Sequence, residues 1–492
     1  LKHRRLPLPP GPKGLPLIGN LWHVPAEYPW LTYARWAAAY GDVFYLNTPG
    51  NPTVVINSAE AAADLFEKRS GNYSDRPDFT MTKLAGWGHN MAFMRYSDWW
   101  RKHRRMFHQY FQPRAVPAYY PVQMRATSVL LQQLHKSPDE FAHHVRHHAG
   151  SVIMKTVYGY DVDPNGDRFV ELVDRAMESV RIIGNVGTFL VDYIPSMKYL
   201  PRWFPGANFM SLADTWRKDV EEMANGPFAY ASESMARPRL FIYANGTATP
   251  SFVSENLTKM KETSMSEKAA QLEIIRNAAA SLIAAKTVSV VLAVILAFLL
   301  YPEVQAKAQA ELDAVVGSTR LPNFNDRPQL PYIDAILLEA LRWNPVVPMG
   351  VAHRSLNADV YKGYYIPAGM SQMRSPCLAI LHDEKVYPNP LIFDPDRFIP
   401  EEGKEPQPEP IAVFGFGRRI CPGRYLALNS AWIVIASMAS TLSFTKAIDS
   451  EGCIIEPSDT FTDGFLSFPI PFKCTIKVRS AGAQALIDSN GL

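Results

Sequence analysis

Phe414-Gly-Phe-Gly-Arg-Arg-Ile-Cys421-Pro-Gly423 places one cysteine in a glycine-containing loop, with two arginines just before it and an apolar run, Tyr425 to Leu442, just after. The run reads as a helix, so the cysteine stands near a helix N-terminus, where backbone N–H groups and nearby cations favour a thiolate. A thiolate in that position is a soft anionic ligand for a metal. The ordinary alternative for a single Cys before a helix is a buried free thiol in a tight turn.

The spacing F-x-x-G-x-R-x-C-x-G, carried here by Phe414, Gly417, Arg419, Cys421 and Gly423, resembles the haem-binding signature of the cytochromes P-450. The resemblance implies a mainly α fold with a minor β-rich lobe and haem b (iron-protoporphyrin IX) as cofactor. It also implies that Cys421 is the metal ligand and that Arg419 pairs with a haem propionate. A thiolate ligand pushes electron density through iron and favours O–O cleavage.

Composition sets the bounds. The chain has 492 residues, 47% hydrophobic and 20% charged, enough to bury a large core. A prior of roughly 150 residues per domain suggests about three domains, but the resembled family folds such a length as one unit, taken here as residues 20–492. The net charge of +3 argues against a nucleic-acid partner, whose footprint is a strong basic excess. Cys377, Cys421, Cys453 and Cys474 form no C-x-x-C pair, which excludes a disulfide framework and a zinc site read from cysteine spacing. Residues 1–19 read as the remnant of an anchor region: a basic Lys-His-Arg-Arg cluster, then the stiff run Pro7-Leu-Pro-Pro-Gly-Pro12, similar to the proline-rich hinge of microsomal members.

Further along, Asp42 to Val55 predicts two strands and a turn, and Ser58 caps a helix through about Lys68. Residues 78–98 show no clear period and read as a long loop, which the resemblance makes a wall of the substrate pocket, with Trp87, Met91, Phe93 and Met94 as contacts. Ser97-Asp-Trp-Trp-Arg opens a helix with Trp100 and Arg104 on one face. That pair matches the family's W-x-x-x-R, which implies contacts to haem propionates. Arg101, Lys102 and Arg105 suggest a docking face for an acidic flavoprotein. His143, His144, His147 and His148 make two i,i+4 pairs and read mainly as a polar helix face, with a metal site as the lesser reading. Residues 185–210, rich in aromatics and prolines, suggest either an apolar interaction surface or a buried connector, and 236–256 read as a loop.

Glu339-Ala-Leu-Arg342 puts a carboxylate and a guanidinium on one helix face, and Pro395-Asp-Arg-Phe398 follows. These resemble the family's E-x-x-R and P-E-R-F, implying a buried Glu339, Arg342 and Arg397 network behind the Cys421 loop. By the same resemblance His353 or Arg354 meets a propionate. The apolar stretch from Val346, with Val347 and Met349, lines the pocket together with Ile283, Val290 and the Phe465-Leu466 turn. Asn357 to Pro367 predicts a hairpin turning at Lys362-Gly363.

Ser281 to Tyr301 is almost wholly apolar and interrupted only by Lys286 and hydroxyl residues. It is long enough for a membrane span, but it reads better as a helix buried all round. The family carries an acid and an alcohol here as a proton relay. This chain has Ala285-Lys286-Thr287 instead, with no carboxylate in either alignment register. Lys286 and Thr287 are the candidate catalytic pair. Four readings of Lys286 stand: a proton donor with Thr287 and ordered water, a partly desolvated lysine acting as acid or base, an anion-binding group as in peroxide-using members, or a lysine that points away.

The resemblance, strongest to members from mushroom-forming fungi, implies a monooxygenase that hydroxylates a lipophilic small molecule in fungal secondary or xenobiotic metabolism. Its implied partners are NADPH-cytochrome P-450 reductase, with cytochrome b5 as an accessory donor, and a membrane surface, for a monomer on the cytosolic face of the endoplasmic reticulum. A peroxide-using or redox-neutral haem-thiolate enzyme and a non-catalytic haem protein are the alternatives.

Overall fold

The computed structural model describes all residues except 1–5, 26, 186, 237–249, 261–264, 284–286, 371, 375 and 490–492. It is mainly helical, with three small sheets. The Val43–Leu46 strand (β1) pairs antiparallel with Thr53–Ile56 (β2), and β2 pairs in parallel with Gln372–Arg374 (β5). Asp359–Tyr361 (β3) and Tyr364–Ile366 (β4) form a hairpin. Its two turn residues, Lys362 and Gly363, both have positive φ (49° and 83°), the geometry that lets a two-residue turn follow the strand twist. Leu442–Lys446 (β6) pairs with Cys474–Val478 (β7).

The Val288–Leu300 helix runs through the centre and is buried from Val288 to Leu299. With apolar residues on every face it has no solvent side to offer, and it packs against Pro331–Trp343, Arg424–Thr441 and β6 in the largest core cluster. The wider run Glu267–Leu300 is apolar and long enough to cross a membrane, but 93% of its most apolar window lies inside the protein, as in a core helix. Tyr301 ends the central helix, and Pro302 opens the next, Pro302–Val315, where a missing N–H costs nothing.

Three sequence expectations need correction. Residues 78–98 hold a short helix, Thr80–Leu84, and a turn of 3₁₀ helix, Trp87–His89, each fixed by contacts from distant chain. The region 236–256 is helical up to Ala236 and again from Phe252; residues 237–249 lie outside the described residues. In the histidine-rich helix Phe141–Tyr158 only His143 of the four histidines faces solvent, and His144, His147 and His148 are buried. Each finds a polar neighbour: Ser137 for His144, the Asp163 carbonyl for His147 and Thr127 for His148. The expected helix over Ser281 to Tyr301 is helical up to Ile283 and from Val288 to Leu300, and 284–286 lie outside the described residues.

Candidate active site

The scaffold begins at Glu339 and Arg342, i,i+3 neighbours in the Pro331–Trp343 helix and both fully buried. Arg342 donates from Nε to Glu339 Oε2 (2.7 Å) and from Nη2 to Oε1 (2.8 Å). Arg397 Nε (3.2 Å) and the Asp394 N–H (2.8 Å) also donate to Oε1. Burial pushes the Glu339 carboxyl up, and the two guanidiniums and the Asp394 N–H oppose it. Four donors converge on its oxygens, so the ionised form is the one the geometry accommodates. Arg397 also bonds Gln407, through Nη1 to Oε1 (3.0 Å) and through its carbonyl to the Gln407 N–H (2.8 Å). Gln407 lies just ahead of Ile411, where the Cys421 loop begins, so the network holds the base of that loop.

Within the loop, the Cys421 N–H donates to the Phe414 carbonyl (2.7 Å), closing the turn over the signature residues. Gly417 has φ 51°, and a Cβ there would lie 2.1 Å from the Phe66 carbonyl oxygen, so only glycine fits this approach. Arg424–Thr441 starts directly after Gly423. Cys421 is deep in the protein and ringed by it, yet part of its own surface stays uncovered. Those two facts agree if the thiol borders an internal space. Burial pushes its thiol up, while the Gly423 and Arg424 N–H groups and the Arg104 and Arg424 guanidiniums pull it down. A metal ion at the sulfur would complete the deprotonation.

Around the loop, cations gather. Arg419 donates to the carbonyls of Ser74 (2.7 Å), Met91 (3.2 Å) and Met94 (2.6 Å), and its guanidinium lies 4.2 Å from the Trp100 ring centroid. Arg104, one turn after Trp100 in the Asp98–Phe111 helix, donates to the Ile420 carbonyl (2.6 Å). Arg76 donates to the carbonyls of Ala92 (2.9 Å), Val351 (2.7 Å) and Ala352 (2.8 Å). His353 Nδ1 lies 2.7 Å from the Tyr73 carbonyl, which requires the proton on that nitrogen. Burial pushes Arg76 down to about 9, and burial together with Arg76 pushes Arg419 down to about 8. His353 falls well below its usual range through burial, then through Arg76. The nearby acid Asp75 is taken by Arg95 and the Tyr96 N–H.

Among the described residues no carboxylate pairs with Arg76, Arg104 or Arg419, and the buried Trp100 Nε1 has no hydrogen-bond partner. Buried cations of like sign are costly without an anion. Carboxylates beside these groups would answer Arg76, Arg419, His353 and Trp100 Nε1 together, and a haem carries two. Next to Cys421, a Cβ on Gly423 would meet nothing within 4 Å, so no protein atom fills that space. The residues therefore fit a haem held at Cys421.

Arg76 is a site residue that sequence reading missed. Asp75-Arg76-Pro77 looks like a solvated turn, and only the proline, which holds the preceding residue extended, marks it. Arg354 does not join the cluster. Its N–H bonds the Asp75 carbonyl, and a Cβ on Gly369 would lie 3.4 Å from its guanidinium.

A cleft opens beside this cluster. Trp87, Phe93 and Phe465 line it, with Arg76, Asp192 and Ala352 among the other walls. Ile283, Val347 and Leu466 belong to the same apolar cluster as Trp87. Two expected pocket residues sit elsewhere. Val290 faces the main core, and Met349 packs with Trp30, Tyr33 and Phe44 beside β1, because the irregular stretch after Pro345 turns it toward the strands. Lys286 lies outside the described residues. Thr287 precedes the central helix, and its carbonyl accepts the Val291 N–H (3.3 Å).

Asp192 accepts the Met81 N–H (2.8 Å), and its carbonyl accepts Asn51 Nδ2 (2.7 Å), so one residue ties the Thr80–Leu84 helix and the β1–β2 turn across the cleft. Burial raises its carboxyl to about 6.

Comparison with known proteins agrees with this geometry. The family model described as Cytochrome P450 (here P-450) matches residues 9–475. A cytochrome P-450 monooxygenase of Armillaria gallica is 42% identical over 99% of this chain and 94% of its own length. Cytochrome P-450 monooxygenase 208 of Postia placenta is 41% identical over 99% and 93%. Tryptamine 4-monooxygenase of Psilocybe cyanescens is 37% identical over 97% and 94%. These similarities do not favour the peroxide-using, redox-neutral or non-catalytic readings. With a cysteine loop shaped for haem and similarity along nearly its whole length, the chain belongs to the cytochrome P-450 family and is a haem-thiolate monooxygenase.

Proposed function

We propose that this monooxygenase oxidises a lipophilic small molecule bound in the cleft lined by Trp87, Phe93 and Phe465, with electrons from an NADPH-dependent flavoprotein reductase. The observation that carries the reading is the adjacency of an aromatic-walled cleft to the cation cluster, with Arg76 belonging to both. Bound haem supplies the activation of dioxygen. Cys421 would hold the metal, and its thiolate would be supported by the Gly423 and Arg424 N–H groups. Arg76, Arg419 and His353 would orient the carboxylates of the group, and Trp100 Nε1 would offer a further donor. The aromatic walls exclude water and reward apolar surface at about 25 cal/mol per Å² buried.

An apolar face supports seating on a membrane. Leu17, Trp22, Tyr199 and Trp203 are 76–100% exposed, and Leu190 and Ile194 are more than half exposed. Asn20 and Asn47 tie the first segment to β1, and Asn51 ties the β1–β2 turn to Asp192, so the two groups belong to adjoining chain. Exposed tryptophan and tyrosine suit the boundary between lipid and water. Replacing Tyr199 and Trp203 by Ser lowers partitioning into phospholipid vesicles in a sedimentation assay, with the haem spectrum unchanged; equal partitioning contradicts the seating.

Function is tested by screening lipophilic compounds for a low-to-high-spin shift of the haem-loaded protein, then assaying each hit for turnover. Tryptamine, the substrate in the Psilocybe relative's name, belongs on that screen. The expected result is product that requires NADPH, reductase and dioxygen together. Product formed with hydrogen peroxide alone, and none with the reductase system, overturns the reading.

A further inference from the structure

Three polar side chains outside the haem cluster form a closed ring in an apolar setting. Ser467 Oγ donates to Asn344 Oδ1 (2.9 Å), Asn344 Nδ2 donates to Ser289 Oγ (3.3 Å), and Ser289 Oγ donates to the Ser467 carbonyl (2.6 Å). All three residues are at most 1% exposed. Each hydroxyl proton and the amide pair is used once, so the ring runs in one direction. Buried rings of this kind are stable only when every member is satisfied.

The ring joins three pieces of chain, two of which reach the cleft, through Ala352 and through Phe465. Ser289 lies in the first turn of the central helix. Asn344 follows the Pro331–Trp343 helix and precedes Pro345, at the start of the stretch leading to Ala352. Ser467 ends the Gly464-Phe-Leu-Ser467 turn, and its N–H donates to the Val346 carbonyl (3.0 Å). The tip of that turn, Phe465, lines the cleft and presses on the end of the Arg168–Ile183 helix, where a Cβ on Gly184 would lie 2.1 Å from Phe465 Cγ. A shift of Ser467 therefore moves a cleft wall.

We infer that Ser289, Asn344 and Ser467 form a positioning unit that locks the Phe465–Leu466 tip to the start of the central helix and so sets which bulky ligands the cleft accepts. The inference rests on the reading of that cleft as the substrate site. None of the three touches the ligand; they act through Phe465 and Leu466.

The test uses haem-loaded protein and two iron-binding probes read by their Soret shifts. Imidazole is small enough to ignore the cleft walls, and ketoconazole fills them. In Ser289→Ala and Ser467→Ala the ketoconazole Kd changes by about tenfold, the worth of one buried hydrogen bond, while the imidazole Kd stays within about twofold. Ser467→Ala keeps both backbone bonds of the turn, so it serves if Ser289→Ala loses haem. Thr441→Ala, which removes a buried hydroxyl bonded to the Ser437 carbonyl far from the cleft, changes neither Kd.

An unchanged ketoconazole Kd in both serine variants overturns the positioning unit, and so does a parallel shift of both probes, which marks general loosening. Phe465→Ala separates the two readings. If it changes the ketoconazole Kd while the serine variants do not, only the ring fails. If Phe465→Ala is also silent, the cleft is not the ligand site and both readings fall.

Discussion

The thiolate loop and the cleft are neighbours that share Arg76 and are built on different principles. Around Cys421, position is set by short, redundant bonds. Glu339 receives four donors, and Arg419 makes three bonds to carbonyls. The cleft is set by single bonds between segments far apart in sequence, such as Asp192 to Met81 and Trp87 Nε1 to Ser179 Oγ (2.9 Å). The first arrangement tolerates little change and holds a cofactor whose chemistry does not vary. The second lets a wall move when one side chain is replaced, as expected where ligand preference is set.

The largest effect falls on the loop side. Glu339→Gln leaves Arg342 and Arg397 buried against a neutral amide, and breaking such a pair costs about 3–5 kcal/mol. The expected outcome is a lower denaturation midpoint and a sharply reduced haem-to-protein ratio after purification. A normal ratio breaks the claim that this network holds the loop. Arg419→Leu is next. Loss of a charged donor to a buried carboxylate is worth about 1.5–3 kcal/mol, so transfer of haem to apomyoglobin accelerates by roughly ten- to a hundredfold. An unchanged transfer rate would place the propionates elsewhere.

On the cleft side the effect is smaller and depends on pH. The Asp192 carboxyl is raised to about 6 by burial, so its favourable contribution is complete below the unfolded value near 4 and is lost as pH rises through about 6. Asn keeps the ability to accept the Met81 N–H without the charge. Asp192→Asn is therefore more stable than the parent at pH 8, by about 1–2 kcal/mol after allowing for solvent at the cleft, and the advantage shrinks toward pH 5. Thermal unfolding at the two pH values checks this. A pH-independent difference shows that the carboxylate is not buried as described.

The same contrast explains what the sequence made legible. The elements around the loop are local: the strands near Val43 and Thr53, the Ser58 and Ser97 caps and the Lys362-Gly363 turn all appear where short-range chemistry demands them. Cys421 and Arg419 stand two residues apart, so their spacing is visible without a fold. Arg76 was not visible, since its carbonyl partners at Val351 and Ala352 are 275 and 276 residues away. Nor was the role of Asp192, whose partner Met81 is 111 residues distant. The buried histidines were misread for the same reason: helical spacing gives a face but not what covers it. Met349 and Val290 were assigned to the pocket through the family resemblance, and their apolar character alone cannot distinguish one core cluster from another.

The central claim is that Cys421 holds a haem as its thiolate ligand, and the reduced carbon monoxide difference spectrum tests it most directly. The wild-type protein is predicted to show the red-shifted Soret band diagnostic of a thiolate-bound carbonyl complex, and Cys421→Ala is predicted to lose it. Retention of that band in Cys421→Ala, or its absence from wild-type protein that carries stoichiometric haem, would contradict the account.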